Sequence, residues 1–288
     1  DYYWNVNKQS AHILDEIRKA FTEGDQVKAE RLTRQNFNSE VPYEGSREKP
    51  FRFGSFTTMG EFYVETGLNI IGMSDYKRIL SLDSAMAVVQ FKKDDVAYQR
   101  NYFISYPANV LVMRFSADRP GKQNLIFSYA PNPVSTGSMV AQGDNGLVYS
   151  AALDNNGMKY VVRIQAETKG GTLVNRNGKL TVKGADEVVF YVTADTDYKV
   201  NFTPDFKNPK TYVGVNPVET TGQWLANAVA KGYSALLNEH YQDYAALFNR
   251  VKLNLNPTVK TGNLPTGQRL KNYRKGQPDY YLEELYFQ

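Results

Sequence analysis

The residues of this 288-residue chain that could do acid–base or metal chemistry are two histidines and a few carboxylate pairs. His12 and His240 lie on separate predicted helices, and neither belongs to an H-x-x-x-H or H-x-E pattern. Because cysteine is absent and histidine is scarce, the sequence predicts no zinc site. We expect His240 to be a helix-packing residue that hydrogen-bonds locally. It has no Ser or Asp partner in sequence for nucleophilic catalysis, which leaves open a partner that the fold would supply.

The close carboxylate pairs are the other candidates, since glycoside hydrolysis usually needs two carboxyl groups flanking one bond. They are Asp94-Asp95, Asp186-Glu187, Asp195/Asp197 and Glu283-Glu284. Each pair is more simply a turn, a solvated edge or a helix surface, and such positions rarely have the burial and perturbed pKa of a catalytic acid. The sequence therefore assigns no catalytic, cofactor-binding or metal-ligating residue.

Composition and missing motifs narrow the function classes further. The absence of cysteine excludes thiolate zinc sites, Cys nucleophiles and disulfides, but it leaves the compartment open. No G-x-S-x-G, G-x-x-x-x-G-K-[ST] or G-x-G-x-x-G occurs, and we expect no cofactor. The net charge of +4 comes from interspersed signs with no long basic block, so nucleic acid is not an expected partner. No stretch is long and apolar enough to span a membrane, and residue 1 does not open a signal peptide.

Two short helices are predicted near the start of the chain, over residues 10–37. Ser10 and Asp25 are the predicted N-caps, and Gly24 ends the first helix. The predicted apolar faces are Ile13, Leu14, Ile17 and Phe21 on the first helix, and Val27, Leu32 and Phe37 on the second. A long loop is predicted over residues 38–58, where Pro and Gly interrupt a polar stretch.

From Glu61 to about Val200 the pattern is that of strands separated by turns. Predicted strands cover 61–65, 76–82, 85–91, 96–105, 110–117, 124–130, 147–153, 158–167, 172–176, 179–184 and 187–194. Turn signals lie between them at Asp94-Asp95, Pro120-Gly121, Asn145-Gly146, Asn156-Gly157 and Asn177-Gly178. Because the strands are closely spaced and no crossover helices intervene, we predict a mainly β fold, a large antiparallel β-sandwich rather than a parallel α/β fold.

The pattern changes to that of a helix near residue 220. Apolar and aromatic residues then recur at three- and four-residue steps, at Val229, Tyr233, Leu236, Leu237, His240, Tyr244, Leu247, Phe248 and Val251. VKLNL (251–255) is a candidate short strand, and the basic stretch up to Asp279 is predicted to be irregular. YYLEELYFQ (280–288) is predicted to open another helix.

Several motifs follow one another along the chain. YKRILSLDSAMAVVQF (76–91) precedes a stretch with Tyr98, Arg100, Asn101, Phe103, Ser105 and Pro107. VVFYVTADTDYK (188–199) follows, and then a segment with His240, Asp243, Tyr244, Leu247, Phe248, Arg250 and Val251. LPTGQRL (264–270) and LEELYFQ (282–288) come last. In this order the motifs resemble the N-terminal sandwich domain and linker of glycoside hydrolase family 95, with Asn101 where the family usually has Glu and Gly267 where it has Asp. LEELYFQ resembles the opening helix of that family's catalytic barrel.

The resemblance implies a β-sandwich domain over 1–220, a helical linker and extended segment over 221–275, and the start of a truncated barrel helix over 276–288. His240 and Asp243 would be structural residues of the linker. Family 95 enzymes are inverting exo-hydrolases, chiefly α-L-fucosidases acting on α-1,2-linked fucose, with some α-L-galactosidases. Their catalytic residues lie in an (α/α)6 barrel, and none can be carried onto this chain. The final LYFQ also resembles the remnant of a cleaved purification tag, although Leu282 and Glu284 favour native sequence.

The expectation is therefore a non-catalytic N-terminal domain of a bacterial glycoside hydrolase, periplasmic or secreted. Its expected partners are its own barrel and fucosylated or galactosylated glycans. Two alternatives stay open. One is a carbohydrate-binding module in which Tyr2, Tyr3, Trp4 and Trp224 stack on sugar rings. The other is a structural domain of a related sandwich-plus-barrel phosphorylase.

Overall fold

A computed structural model describes residues 10–37, 57–154, 156–205, 208, 210–255 and 264–288. The helices are α1 (Leu14–Thr22, preceded by a 3-10 turn at Ser10–Ile13), α2 (Gln26–Phe37), α3 (Val218–Phe248), α4 (Thr266–Arg274) and α5 (Tyr280–Phe287). The strands are β1 (Gly60–Glu65), β2 (Met73–Ser81), β3 (Met86–Lys93), β4 (Val96–Ser105), β5 (Val110–Ala117), β6 (Gln123–Pro131), β7 (Ser135–Gln142), β8 (Gly146–Leu153), β9 (Lys159–Lys169), β10 (Thr172–Arg176), β11 (Lys179–Ala185) and β12 (Glu187–Thr196).

The strands form two antiparallel sheets that pack face to face, which confirms the predicted β-sandwich. The small sheet has the order β1-β6-β11-β10, and the large sheet has the order β2-β3-β4-β5-β12-β9-β8-β7. Their inner faces share one apolar core, in which the Phe127 ring of β6 stacks on the Phe190 ring of β12 with centroids 4.5 Å apart. Burial of such large aromatic surfaces is the main driving force for joining the two sheets.

Two of the predicted turn pairs form the two-residue hairpins that their sequence suggests. Asp94 and Asp95, between β3 and β4, have φ of 50° and 58°. Asn177 and Gly178, between β10 and β11, have φ of 52° and 70°. Positive φ at both central residues matches the twist of the flanking strands, and Asn, Asp and Gly tolerate that conformation best.

Strand β12 is buried on both faces and thereby joins three layers. Val188, Phe190 and Val192 face the small sheet. Val189 and Tyr191 point the other way and pack against helix α3 on the outer face of the large sheet. This explains why VVFYV (188–192) is a continuous apolar run instead of a strict alternation, as expected for a strand covered on both sides.

The N-terminal helices form a hairpin with its own small core of Ile17, Ala20, Ala29 and Leu32. Asp25 caps α2 as predicted, accepting a hydrogen bond from the Lys28 amide at 2.9 Å. Ser10 does not cap α1, because a 3-10 turn separates the two and no side chain caps that helix.

The predicted apolar faces of these helices are only partly correct. Val27 is 80% exposed, and Phe21 is also exposed, so α2 contacts α1 through Ala29 and Leu32.

Three segments differ from their predicted structure. Strand β7 was not predicted, because STGSMVAQ is a mostly exposed edge strand with little apolar alternation. Residues 251–255 form no strand. The stretch predicted to be irregular contains helix α4, whose Arg269 forms a largely buried ion pair with Asp279 at 2.6 Å. Asp279 also accepts a hydrogen bond from the Leu282 amide and so caps α5.

The stacked pair at the centre of the sandwich gives a direct stability test. Phe190→Ala removes a fully buried ring, and we expect the free energy of unfolding to fall by about 3–5 kcal/mol in urea denaturation. Val140→Ala on the exposed edge strand β7 is the control and should change it by less than about 0.5 kcal/mol. Equal effects of the two substitutions would contradict the inter-sheet core.

Candidate functional site

Helix α3 crosses the outer face of the large sheet, and side chains of the two elements pack together there. Leu225, Ala228 and Leu236 of α3 are buried against Phe103 and Val112 of the sheet. The helix is interrupted at Gly232, whose φ of 73° and ψ of 169° are not helical. Lys231 and Glu239 form an ion pair across the interruption at 2.7 Å. Both halves of α3 are therefore held on the same sheet surface.

Arg163 of β9 holds the beginning of α3. Its Nη2 donates to the Val218 carbonyl at 3.0 Å, and its Nε donates to Thr221 Oγ1 at 3.1 Å. The hydroxyl of Thr193 on β12 donates to the Thr221 carbonyl at 2.9 Å. Burial lowers the pKa of the Arg163 guanidinium from its ordinary value. The first turn of α3 is thus hydrogen-bonded to two adjacent strands.

His240 holds the second half of α3. Its Nε2 lies 2.9 Å from the Ser84 carbonyl, and its ring packs on Phe103 with centroids 5.0 Å apart. The ring of Tyr244, one turn further along, stacks on the His240 ring with centroids 6.3 Å apart. His240 is buried in helix packing as predicted, but its hydrogen bond reaches the β2–β3 turn and is not local. His12 lies on the N-terminal helical hairpin, so the structure does not bring the two histidines together.

A charged cluster lies beside α3 on the same sheet face. Arg114 of β5 pairs with Glu187 of β12 at 2.5 Å, and its Cζ lies 4.9 Å from the Tyr233 ring centroid on α3. Hydrogen bonding to Glu187 raises the pKa of Arg114. The Tyr191 hydroxyl donates to Glu167 at 2.9 Å, and burial together with this carboxylate raises the pKa of Tyr191. Both carboxylates are engaged by structural partners in this cluster, which borders a cavity of about 520 Å³.

The carboxylate pairs singled out in the sequence lie apart from one another. Asp94 and Asp95 form a hairpin turn, and Asp186 accepts a hydrogen bond from the Gly121 amide at 2.7 Å. The remaining carboxylates accept hydrogen bonds as follows: Asp195 from the Thr196 amide, Asp197 from the Lys159 amide, Glu283 from the Tyr273 hydroxyl and Glu284 from the Leu255 amide. Within the described ranges, no three His, Asp or Glu side chains are grouped as metal ligands.

Trp224 is the aromatic candidate for sugar stacking that the structure describes. It is half-buried on α3 and lines a groove of about 380 Å³ together with Pro107, Asn227 and Lys231. Residues 2–4, which include the other candidates Tyr2, Tyr3 and Trp4, lie outside the described residues. No helix in the described part of the chain has the length and apolar character needed to cross a membrane.

Two models of known protein families match different parts of this chain. The model of the glycosyl hydrolase family 65 N-terminal domain matches residues 3–201, which include the whole sandwich. The model of the glycosyl hydrolase family 95 catalytic domain matches residues 232–288, beginning at the interruption of α3. The chain belongs to the glycosyl hydrolase family 65 N-terminal domain family. Its C-terminal helices match the family 95 catalytic-domain model, which confirms the resemblance to family 95 found in the sequence.

Two named proteins are similar to this chain in sequence. The chain is 30% identical to "Probable alpha-fucosidase A" of Aspergillus niger over 83% of its length, covering 30% of that protein. It is 25% identical to "Alpha-L-fucosidase 2" of Arabidopsis thaliana over 75% of its length, covering 28% of that protein. The chain therefore spans less than a third of the length of these relatives.

One solved structure is similar at a more distant level. It is described as a candidate kojibiose phosphorylase from the human microbiome, with 12% identity and a TM-score of 0.41. The similarity covers 60% of this chain and 24% of that one.

The arginines that organise the site were not singled out in the sequence. Arg163 and Arg114 each interrupt a run of apolar residues, YVVRI (160–164) and VLVMRF (110–115). An arginine inside such a strand is the available signal, because buried guanidinium groups require partners. The partners themselves lie far away in sequence and could not be named without the fold.

Arg163→Met tests the hydrogen bonds at the start of α3. The substitution keeps the apolar stem and removes the donors, so we expect a loss of about 1–3 kcal/mol in the free energy of unfolding. Arg176→Met, on the exposed strand β10, is the matched control and should have little effect. An unchanged urea midpoint for Arg163→Met would show that these hydrogen bonds do not hold the helix.

Asn101→Glu tests the position where this chain departs from the family 95 pattern. Asn101 pairs directly with Arg114 across β4 and β5, and the buried Arg114 Nε has no hydrogen-bond partner. A carboxylate opposite this guanidinium would accept that bond, so we expect a gain of about 1 kcal/mol in the free energy of unfolding at pH 7.

Pairing with arginine would depress the pKa of the new carboxyl group, so the gain should be present at neutral pH and lost as the pH falls through that lowered pKa. Asn101→Gln is the uncharged control. A destabilised Asn101→Glu variant at pH 7 would refute the idea.

Proposed function

We propose that this chain is the non-catalytic N-terminal region of a glycoside hydrolase that releases terminal α-L-fucose, or α-L-galactose, from oligosaccharides. The observation that carries the proposal is helix α3, which is packed and hydrogen-bonded onto the sandwich while its second half lies within the family 95 catalytic-domain match. The names of the fucosidase relatives support the fucoside as substrate.

The mechanical role follows from how α3 is attached. Arg163 and Thr193 hold its first turn, and the buried Leu236 and His240 hold its second half. Motion of the second half relative to the sheet would expose this apolar surface and break the His240 hydrogen bond, both of which are unfavourable. In the proposed function, the sandwich therefore fixes the position at which the catalytic domain begins.

The chemistry of the described carboxylates supports a non-catalytic role. An inverting glycosidase needs one carboxyl group kept protonated and a second that activates water on the opposite side of the sugar. Glu187 is instead paired with Arg114, and Glu167 accepts a hydrogen bond from Tyr191.

The proposal places the sandwich in residues 1–220, the linker in 221–275 and the barrel's opening helix in 276–288. We further propose that the protein is bacterial and that it is periplasmic or secreted. This part of the proposal rests on the sequence resemblance alone.

The test compares this chain with a longer one on an α-1,2-fucosyl disaccharide, with released fucose as the readout. The 288-residue chain should release no fucose above the buffer blank, whereas the chain extended to the length of its fucosidase relatives should release it. The α-L-galactosyl analogue distinguishes the two sugars. Hydrolysis by the 288-residue chain at a rate near that of the longer protein would contradict the proposal.

A second candidate function, carbohydrate binding by the sandwich itself, is favoured by the groove beside Trp224. An indole ring next to the amide of Asn227 combines a stacking surface with a hydrogen-bonding group, which is a common way to bind sugars. Calorimetric titration with a fucosylated oligosaccharide should give heat that Trp224→Ala abolishes. Heat that persists in Trp224→Ala, or no heat in the unchanged chain, would exclude this groove as the binding site.

A further inference from the structure

Another cavity lies at the end of the cleft between the two sheets. Its volume is about 280 Å³. It is enclosed by the segment after β1, by inward-facing side chains of β4, and by the beginning of β6. The lining residues that matter are Thr66, Arg100, Lys122 and Gln123.

Gln123 is the unusual residue of this cavity. It continues the inward row of Leu125 and Phe127 on β6, where the other members are apolar core residues. Only 6% of its surface is exposed, and its buried Nε2 has no hydrogen-bond partner. A buried amide donor without a partner is costly and rare, and a rotation of the Gln123 side chain toward the cavity would let an occupant that accepts hydrogen bonds satisfy it.

Arg100 supplies a positive charge to the same cavity. Its guanidinium carbon lies 5.1 Å from the Phe91 ring centroid and 5.7 Å from the Phe115 ring centroid, so aromatic rings position it. Among the described residues, no carboxylate forms an ion pair with Arg100. A guanidinium group positioned in this way presents a planar set of donors, which matches the two oxygens of a carboxylate.

The remaining side chains that line this cavity also favour an anion. Lys122 adds a second cation, and Thr66 adds a hydroxyl group. No Asp or Glu lines the cavity. Two cations without a carboxylate favour an anionic occupant over a neutral one.

We propose that this cavity binds the carboxylate of a small acidic ligand. Arg100 takes the carboxylate oxygens, and the Gln123 Nε2, once its side chain has turned toward the cavity, donates to the same ligand. The volume accommodates a group up to about the size of one sugar ring, so a uronic acid residue and a free small acid share the required chemistry. This site does not depend on the proposed fucosidase function, because its residues belong to the sandwich alone.

The experiment titrates the 288-residue chain with sodium glucuronate, glucose and acetate by calorimetry, with the side-chain amide resonances of Gln123 followed by NMR. Glucuronate should bind and shift the Gln123 amide signals, and glucose, which lacks the carboxylate, should do neither. Acetate binding as tightly as glucuronate would support the carboxylate site and assign it to small acids. Glucose binding as tightly as glucuronate would overturn the proposal, as would the absence of heat from both carboxylates.

Two variants and a control complete the test. Gln123→Leu and Arg100→Met should each weaken glucuronate binding by about tenfold or more, since each removes a donor to a charged ligand. Arg176→Met, on β10, removes a surface cation of the same type and should leave binding unchanged. Thermal denaturation establishes that each variant is folded. Folded variants that bind glucuronate as well as the parent chain would refute the assignment.

Discussion

The burial of strand β12 on both faces is the constraint on which the rest of the structure depends. Phe190 and its inward neighbours join the large sheet to the small one, while Val189 and Tyr191 join it to α3. A single strand therefore belongs to two apolar cores at once. Because interiors are close-packed, a shift of β12 would disturb both cores together. This coupling makes the sandwich and α3 one mechanical unit.

Arginine side chains on the outer face of the large sheet fix the position of α3, which apolar contact alone would not do. The hydrophobic effect is non-directional, so apolar packing alone does not fix the register of α3 along the sheet. Arg163 removes that freedom by hydrogen-bonding the first turn, and His240 does so in the second half. The interruption at Gly232 lets the two halves follow the sheet separately while both stay attached. The family 95 match begins at this same residue.

Helices and strands were predicted correctly where the sequence signal lies in adjacent residues. The bounds of β4, β5 and β10 were predicted correctly, because alternating apolar residues and turn pairs such as Asn177-Gly178 are properties of adjacent residues. Strand β7 was missed because an exposed edge strand needs no apolar alternation. Helix α4 was missed because TGQRLKNYR has no apolar periodicity, and its order depends on the Arg269–Asp279 pair between segments.

The candidate site was less predictable than the fold, for the same reason. His240 was recognised from its helical spacing, yet its bond to Ser84 joins residues 156 positions apart. The role of Arg114 and the unpaired amide of Gln123 appear only when strands from different parts of the chain come together. The type of a residue shows that its polar group needs a partner when buried. Only the register of the sheets determines which partner it has.

The central claim, that α3 and the sandwich form one unit, is tested most directly by native-state amide hydrogen exchange. The amides of residues 218–231 and 233–248 should be protected to nearly the same free energy as those of β12, because opening either half exposes the shared core. Exchange of residues 233–248 through local opening, while β12 stays fully protected, would contradict the account.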